Sequence, residues 1–356
     1  MRGAGGFRHV PELDGVRALA VLIVMVSHAG LSIVPGGFGV TIFFFLSGYL
    51  ITSLLRAEWQ NSDAVDLRAF YLRRTLRIMP PLYITLLLLC ALTPLGLFGD
   101  SVSWPAVPWD FLFLSNYSHL WGQEGGLPIP LWSLAVEEHF YLIFPVTFML
   151  LAGRYSRETV FKFCVFACGA VLAARFLTLL APEMVFRNYY WSHTRIDSIL
   201  FGSCLALFQN PAMDRGAWKP NRWHAALALF AIALSFAIRD ELFRETIRYT
   251  IQGASLFVLF SFLLSGGSAI ITGFLASKVM VYIGLLSYTL YLCHFAIFAA
   301  LRNAMDASAV AIGILGFAAA FLYAYLMRRL VEVPILNWRR EHQSRVKSIV
   351  AVAPAP

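Results

Sequence analysis

Long apolar runs separated by short polar or charged segments dominate the chain. A helix needs about 17 to 25 mostly apolar residues to cross the hydrocarbon core of a bilayer. Ten runs meet that length: 13–33, 37–56, 79–98, 130–152, 159–181, 194–210, 223–239, 247–266, 279–301 and 308–330. The pattern predicts an all-α membrane protein, a polytopic bundle of about ten transmembrane helices. Residues 109–118 are apolar but too short to span, and are expected at the interface or as a re-entrant segment. The first run is as apolar as a signal peptide. It carries Asp14 and Arg17 near its start and lacks a small-residue cleavage site, so it is expected to stay in the mature protein.

An even number of spans puts both termini on one side of the membrane. With the N-terminus inside, twenty Lys and Arg residues fall in inner segments and five (Arg187, Arg239, Arg244, Arg248, Arg302) in outer ones. The positive-inside rule then predicts cytoplasmic termini. The stretch 78–153 has no Lys or Arg, which suits an outer loop around 99–129. No linker, repeat or low-complexity segment marks a second domain. Residues 1–335 are read as one membrane domain and 336–356 as a cytoplasmic tail.

Composition agrees with this pattern and narrows it. Of 356 residues, 59% are hydrophobic and 13% charged, too few charges to clothe a water-soluble surface at this length. That excludes an ordinary cytosolic enzyme, a disordered regulator and a disulfide scaffold. A net charge of +8 invites a nucleic-acid reading. The cations, however, sit in short clusters between apolar runs, as membrane-face loops do, so no nucleic-acid partner is expected. The five cysteines all lie in apolar stretches and read as small buried hydrophobes, with no disulfide and no metal site expected.

Ionisable groups inside spans are costly and usually face a protein interior or a watery cavity. Here they include Asp14, Arg17, His28, Glu137, Glu138, His139, Arg175, Arg195, Asp197 and His294. Counted from the run limits, His28, Glu137, the Arg195/Asp197 pair and His294 fall at one depth, in the outer third of the bilayer. Arg17 and His28 are eleven positions apart and share a helix face, separated by ~16 Å along the axis. A cation low on that face and an imidazole high on it suit a long anionic ligand with its charged head near the cytosol. In the segment FYLRRTLRIMPP, Arg73, Arg74 and Arg77 lie on adjoining helical faces, and Pro80 and Pro81 are expected to break or reset the helix. Such a cluster binds phosphate, either of a ligand or of lipid headgroups.

Six motifs in order resemble the bacterial acyltransferase 3 family of integral membrane O-acyltransferases, from about Pro11 to Pro334. They are LDGVRALAVLIVMVSHAG with Arg17 and His28, GFGVTIFFFLSGYLI with Ser47 and Gly48, FYLRRTLRIMP, LWSLAVEEHFYLIFP, RIDSILFGSCLA and LLSYTLYLCHF. At Thr41 the chain departs from the acidic residue that many relatives carry. It has no length for the extracytoplasmic hydrolase-like domain fused to some members, so the stand-alone form is expected.

The resemblance implies a bacterial inner-membrane enzyme that moves an acyl group, most often acetyl from acetyl-CoA, to a hydroxyl of a sugar or glycosylated product. A neutral imidazole suits the task of taking the proton from an alcohol, and His28 is the candidate base. Glu137 is the candidate to orient that imidazole or offset its charge, with Glu138 as its rival. Arg17, Arg73, Arg74 and Arg77 would hold the CoA phosphates, and Trp132, Arg195, Asp197 and His294 are the candidate acceptor contacts. Bland alternatives stand beside these. Glu137 or Glu138 pairs with Arg195, Arg195 pairs with Asp197, Asp14 caps the first helix and neutralises Arg17, His294 packs at a helix interface, and Phe43–Phe45 face lipid or pack. The rival functions are a glycan or lipid-linked-sugar transporter and a non-catalytic export subunit. Against a transporter stand the lack of repeated halves and of paired Gly/Pro-broken helices.

Overall fold

The computed structural model describes residues 9–30, 33–99 and 102–341. Arg2, Arg8, Arg345 and Lys347 of the charge count, and residues 342–356 of the expected tail, lie outside the described residues. The described chain is helical: α1 Pro11–His28, α2 Gly36–Ser62, α3 Leu67–Leu92, the short α4 Val107–Phe111, α5 Leu131–Ala152, α6 Arg157–Leu177, α7 Ser192–Arg195, α8 Asp197–Leu207, α9 Arg222–Ala237, α10 Glu241–Glu245, α11 Ile247–Leu264, α12 Ala269–Leu275, α13 Lys278–Ala304 and α14 Ala309–Met327. The last helix continues through a π turn, Arg328–Glu332, to Glu341.

Each of the ten apolar runs holds a helix, and among the described residues seven helices are long and apolar enough to cross a membrane. The other three are α1, α8 and α9. Three charges, Glu12, Asp14 and Arg17, sit in the first two turns of α1. The 11 residues of α8 and 16 of α9 reach only ~17 and ~24 Å, short of the ~30 Å hydrocarbon core.

Two features depart from expectation. Pro80 and Pro81 do not break the helix that carries the arginines, because α3 begins at Leu67 and runs through both prolines. Asp66 starts it by accepting the Ala69 N–H at 2.8 Å. Neighbours then supply hydroxyls along the proline turn, Tyr288 donating to the Ile78 carbonyl at 2.9 Å and Thr85 to the Pro81 carbonyl at 2.7 Å. Asp14 does not cap α1 either. The cap position is Val10, and the Asp14 carboxylate takes His9 at 2.7 Å.

The bundle centres on close backbone contacts. A Cβ on Gly48 would lie 1.8 Å from the Ile199 carbonyl oxygen, and one on Gly202 would lie 1.9 Å from that of Phe45, so α2 and α8 touch along glycine. The two helices run parallel, joined by Thr52 to Ser203 at 2.8 Å and by Arg56 to the Ala206 carbonyl at 2.8 Å. In the same way α1 lies along α13, where a Cβ on Gly284 would meet the Asp14 carbonyl oxygen at 2.0 Å. Arg175 of α6 grips Asp197 of α8 through two bonds, 3.0 and 2.7 Å, with both side chains fully buried. Phe44 and Phe45 are buried in the core, which settles the aromatic run as packing.

The segment between α3 and α5 folds as a cap over the His28 end. Val107, Leu127, Ile129 and Leu131 pack with Leu82, Leu86 and Leu292 of α3 and α13. Residues 109–118 are spent in this cap, as part of α4 and of a 3₁₀ turn at Ser115–Trp121. Asp110, 3% exposed, accepts the Leu127 N–H at 2.8 Å. Gly126 holds φ at +107° there, and a Cβ on it would come 2.4 Å from the Asp110 carboxylate. Burial pushes the Asp110 carboxyl up to about 7. The folded state therefore keeps a proton that the unfolded chain loses near pH 4, and folding stability falls as pH rises from about 4 to about 7. Asp110→Asn is expected to flatten that fall. Thermal midpoints at pH 5 and pH 8 check it, and an equal fall in variant and wild type would refute it.

Candidate active site

Two cavities follow one another along α1. The first, of about 820 Å³, is lined by Arg17, Arg74, Arg77, Ser47, Glu137 and Tyr141, with Ser133, Tyr288 and Tyr291 among its other walls. The second, of about 1470 Å³, is lined by His28, Trp132, Tyr189, Tyr190, Phe295 and the strap 125–130 of the cap. The eleven-residue spacing thus works as expected: Arg17 opens on one chamber and His28 on the other. Of the expected arginine trio, Arg74 and Arg77 face the arginine chamber, the former lying 4.9 Å over the Tyr141 ring. Arg73 points away, to Glu58 at 3.6 Å. Its neighbours lie on the chamber side of α3, whereas Arg73 faces the end of α2.

The His28 imidazole is held by another imidazole. His28 Nδ1 lies 2.9 Å from His294 Nε2, and His294 Nδ1 lies 3.0 Å from the Leu290 carbonyl oxygen. A carbonyl only accepts, so His294 Nδ1 carries its proton and, in the neutral ring, His294 Nε2 accepts. His28 Nδ1 is then the donor, and Nε2 keeps the lone pair of a residue that lines the open chamber. Phe295 packs edge-on against the His28 ring at 5.1 Å, and Arg302 binds the His28 backbone carbonyl. His294 is fully buried, with one ring nitrogen on His28 and the other on the Leu290 carbonyl.

Glu137 takes no part in that pair, which corrects the depth reading. Its carboxylate accepts from Ser47 at 2.9 Å, and the Tyr141 hydroxyl lies 2.9 Å from Ser47 Oγ and 3.3 Å from Glu137 Oε2. The count placed it at the depth of His28 because it took the start of the apolar run as the membrane surface. Leu127 and Ile129 of the strap are instead buried against α3 and α13, so α5 begins inside the protein and Glu137 reaches the arginine chamber. Glu138 has one buried carboxylate oxygen, Oε1, without a hydrogen-bond partner among the described residues.

Neither glutamate pairs with Arg195. That guanidinium is fully buried, gives one bond to Thr41 Oγ1 at 3.1 Å, and lies 3.9 Å over the Tyr249 ring and 5.7 Å over Tyr189. Asp197 pairs with Arg175 instead, so Arg195 and Asp197 do not form the ion pair expected of them. Arg195 stands behind Tyr189 rather than on the chamber surface. Trp132 does line the chamber, its ring 4.7 Å from Tyr189 and 5.3 Å from Tyr190. Ser47, Tyr141, Tyr189 and Tyr291 carry no charge and were passed over as individual sites. Ser47, Tyr141 and Tyr291 do fall within quoted motifs.

A chamber lined by arginines and a chamber lined by His28 thus open along one helix, α1. The family described as an acyltransferase domain matches residues 10–329, and the chain belongs to that family, acyltransferase 3. It is 30% identical over 354 residues to the peptidoglycan O-acetyltransferase OatA of Listeria monocytogenes, covering 92% of this chain and 56% of that protein. It is 29% identical over 358 residues to the O-acetyltransferase OatA of Staphylococcus aureus, covering 92% and 57%. The chain therefore spans less than three fifths of the length of these relatives. No solved structure matches it.

Proposed function

We propose that this membrane acyltransferase moves an acetyl group from acetyl-CoA to a glycan hydroxyl on the far side of a bacterial cytoplasmic membrane. The observation that carries the reading is the division of labour between the chambers: three guanidiniums in one, and a single oriented imidazole lone pair in the other. Arg17, Arg74 and Arg77 hold the CoA phosphates at the cytosolic end, where the Lys/Arg bias puts both termini. The pantetheine arm extends towards His28. The acceptor lies in the His28 chamber against Trp132, Tyr189 and Tyr190, whose rings suit the apolar face of a sugar. The peptidoglycan type named for the Listeria relative is one such acceptor.

His28 Nε2 takes the proton of the acceptor hydroxyl as its oxygen attacks the thioester carbonyl. The new C–O ester bond forms, the C–S bond breaks, and the proton passes from His28 to the departing CoA sulfur. Ser47, bonded to Glu137, lies in the donor chamber, and the simplest course is direct transfer. Detergent-purified protein given labelled acetyl-CoA and a glycan is expected to form base-labile label on the glycan, whereas a transporter would move glycan without esterifying it. Arg77→Ala is expected to raise the KM for acetyl-CoA about tenfold or more, with kcat changed less, because it removes one charge-assisted contact made by ground state and transition state alike. An unchanged KM would remove the arginine chamber from donor binding.

A further inference from the structure

The two chambers share a wall. Val40 of α2 and Tyr291 of α13 line both, and they are only 5% and 9% exposed. Tyr291 is pinned. Its hydroxyl lies 2.6 Å from Ser133 Oγ and 3.3 Å from the Pro130 carbonyl oxygen. Its ring stands edge-on to Phe43 at 6.1 Å and 5.6 Å from the His294 ring, one helical turn from the imidazole pair.

In CoA the thiol is the end farthest from the phosphates. A thioester held by its phosphates among Arg17, Arg74 and Arg77 therefore has to bring its acyl group past this wall to reach His28. An acetyl group ends in one methyl. Each further methylene has to find room against the Val40 side chain and the Tyr291 ring, and the Ser133 and Pro130 contacts keep that ring from swinging aside. One methylene too many in a tight apolar site is worth on the order of 10- to 200-fold in rate. Resting on the donor reading above, we infer that Tyr291 and Val40 are the specificity-determining residues that restrict the donor to short acyl chains.

The test uses membranes from cells producing the full chain, with their own glycan as acceptor, given labelled acetyl-CoA or butyryl-CoA. The readout is the butyryl-to-acetyl ratio of base-labile label. Tyr291→Ala is expected to raise that ratio about tenfold or more, and Val40→Ala to raise it several-fold, on the order of one lost methylene contact. Tyr291→Phe keeps the ring and loses only the hydroxyl, so its ratio is expected to stay within about twofold of wild type by the same volume argument. Should Tyr291→Ala fail to fold, Val40→Ala decides alone. Wild-type ratios in both alanine variants, or a wild type that takes butyryl as readily as acetyl, would overturn the assignment of the wall with acetyl transfer intact. Absence of label from either thioester in wild-type membranes would overturn the donor reading, and the wall with it.

Discussion

His28→Ala is expected to lower labelled acetyl transfer by about 10²- to 10⁴-fold, the usual contribution of a positioned general base. The loss should appear in kcat, because in the proposed reaction the imidazole acts on the acceptor proton in the transition state and holds neither the CoA phosphates nor the sugar rings. His294→Ala is expected to fall in the same direction by less. It leaves the His28 ring in place but removes the acceptor, His294 Nε2, that fixes His28 Nδ1 as the donor and leaves Nε2 as the proposed base. The two effects should not add, since they run through one nitrogen. Both variants are compared with wild type by elution profile and helical content in detergent. A folded His28→Ala protein that transfers acetyl at the wild-type rate would end the catalytic reading of the imidazole pair.

The second large effect concerns stability. Arg175→Ala is expected to cost about 3–5 kcal/mol, because it leaves the Asp197 carboxylate buried without its counter-charge. Arg175 also donates to the Thr194 carbonyl at 2.9 Å and to Thr250 at 2.7 Å, so it ties α6 to the short α7, to α8 and to α11 at once. Replacing both partners with apolar residues, Arg175→Met with Asp197→Leu, is expected to recover most of the loss, since no unpaired charge then remains. Thermal midpoints of the three proteins in one detergent check this. A single variant no less stable than wild type would show that the pair is dispensable. Activity should follow stability here, because α7 and α8 carry the Arg195 side chain that backs Tyr189 of the chamber.

Much of the helical architecture was legible in the apolar runs, because a segment in lipid must satisfy its own backbone hydrogen bonds and a helix does so. Spacing was legible as well. Eleven residues on a 3.6-residue period return to the same face, so Arg17 and His28 had to open along one side of α1. Depth was not legible. It was measured from where apolarity begins, and in α5 apolarity begins at the buried strap of the cap rather than at the membrane surface. That error put Glu137 beside His28, when its partners are Ser47 and Tyr141.

Pairing was the other thing sequence could not supply. Arg195 and Asp197 are two residues apart and opposite in charge, yet a helical step of two turns side chains to different sides. Asp197 therefore faces Arg175, while Arg195 turns to Thr41 and the rings of Tyr249 and Tyr189. The chain by itself determined that this is a helical membrane protein of the acyltransferase 3 family, and it singled out the few ionisable groups inside the spans. Only the tertiary structure decided which of those groups meet. It set His294 behind His28, drew Glu137 to Ser47, turned Arg73 away from the other arginines and raised a wall of Val40 and Tyr291 between the chambers. The reason is physical: helix period governs which residues share a face, whereas contacts between helices remote in sequence depend on tilt, on close approach at glycines such as Gly48 and Gly202, and on where each helix begins.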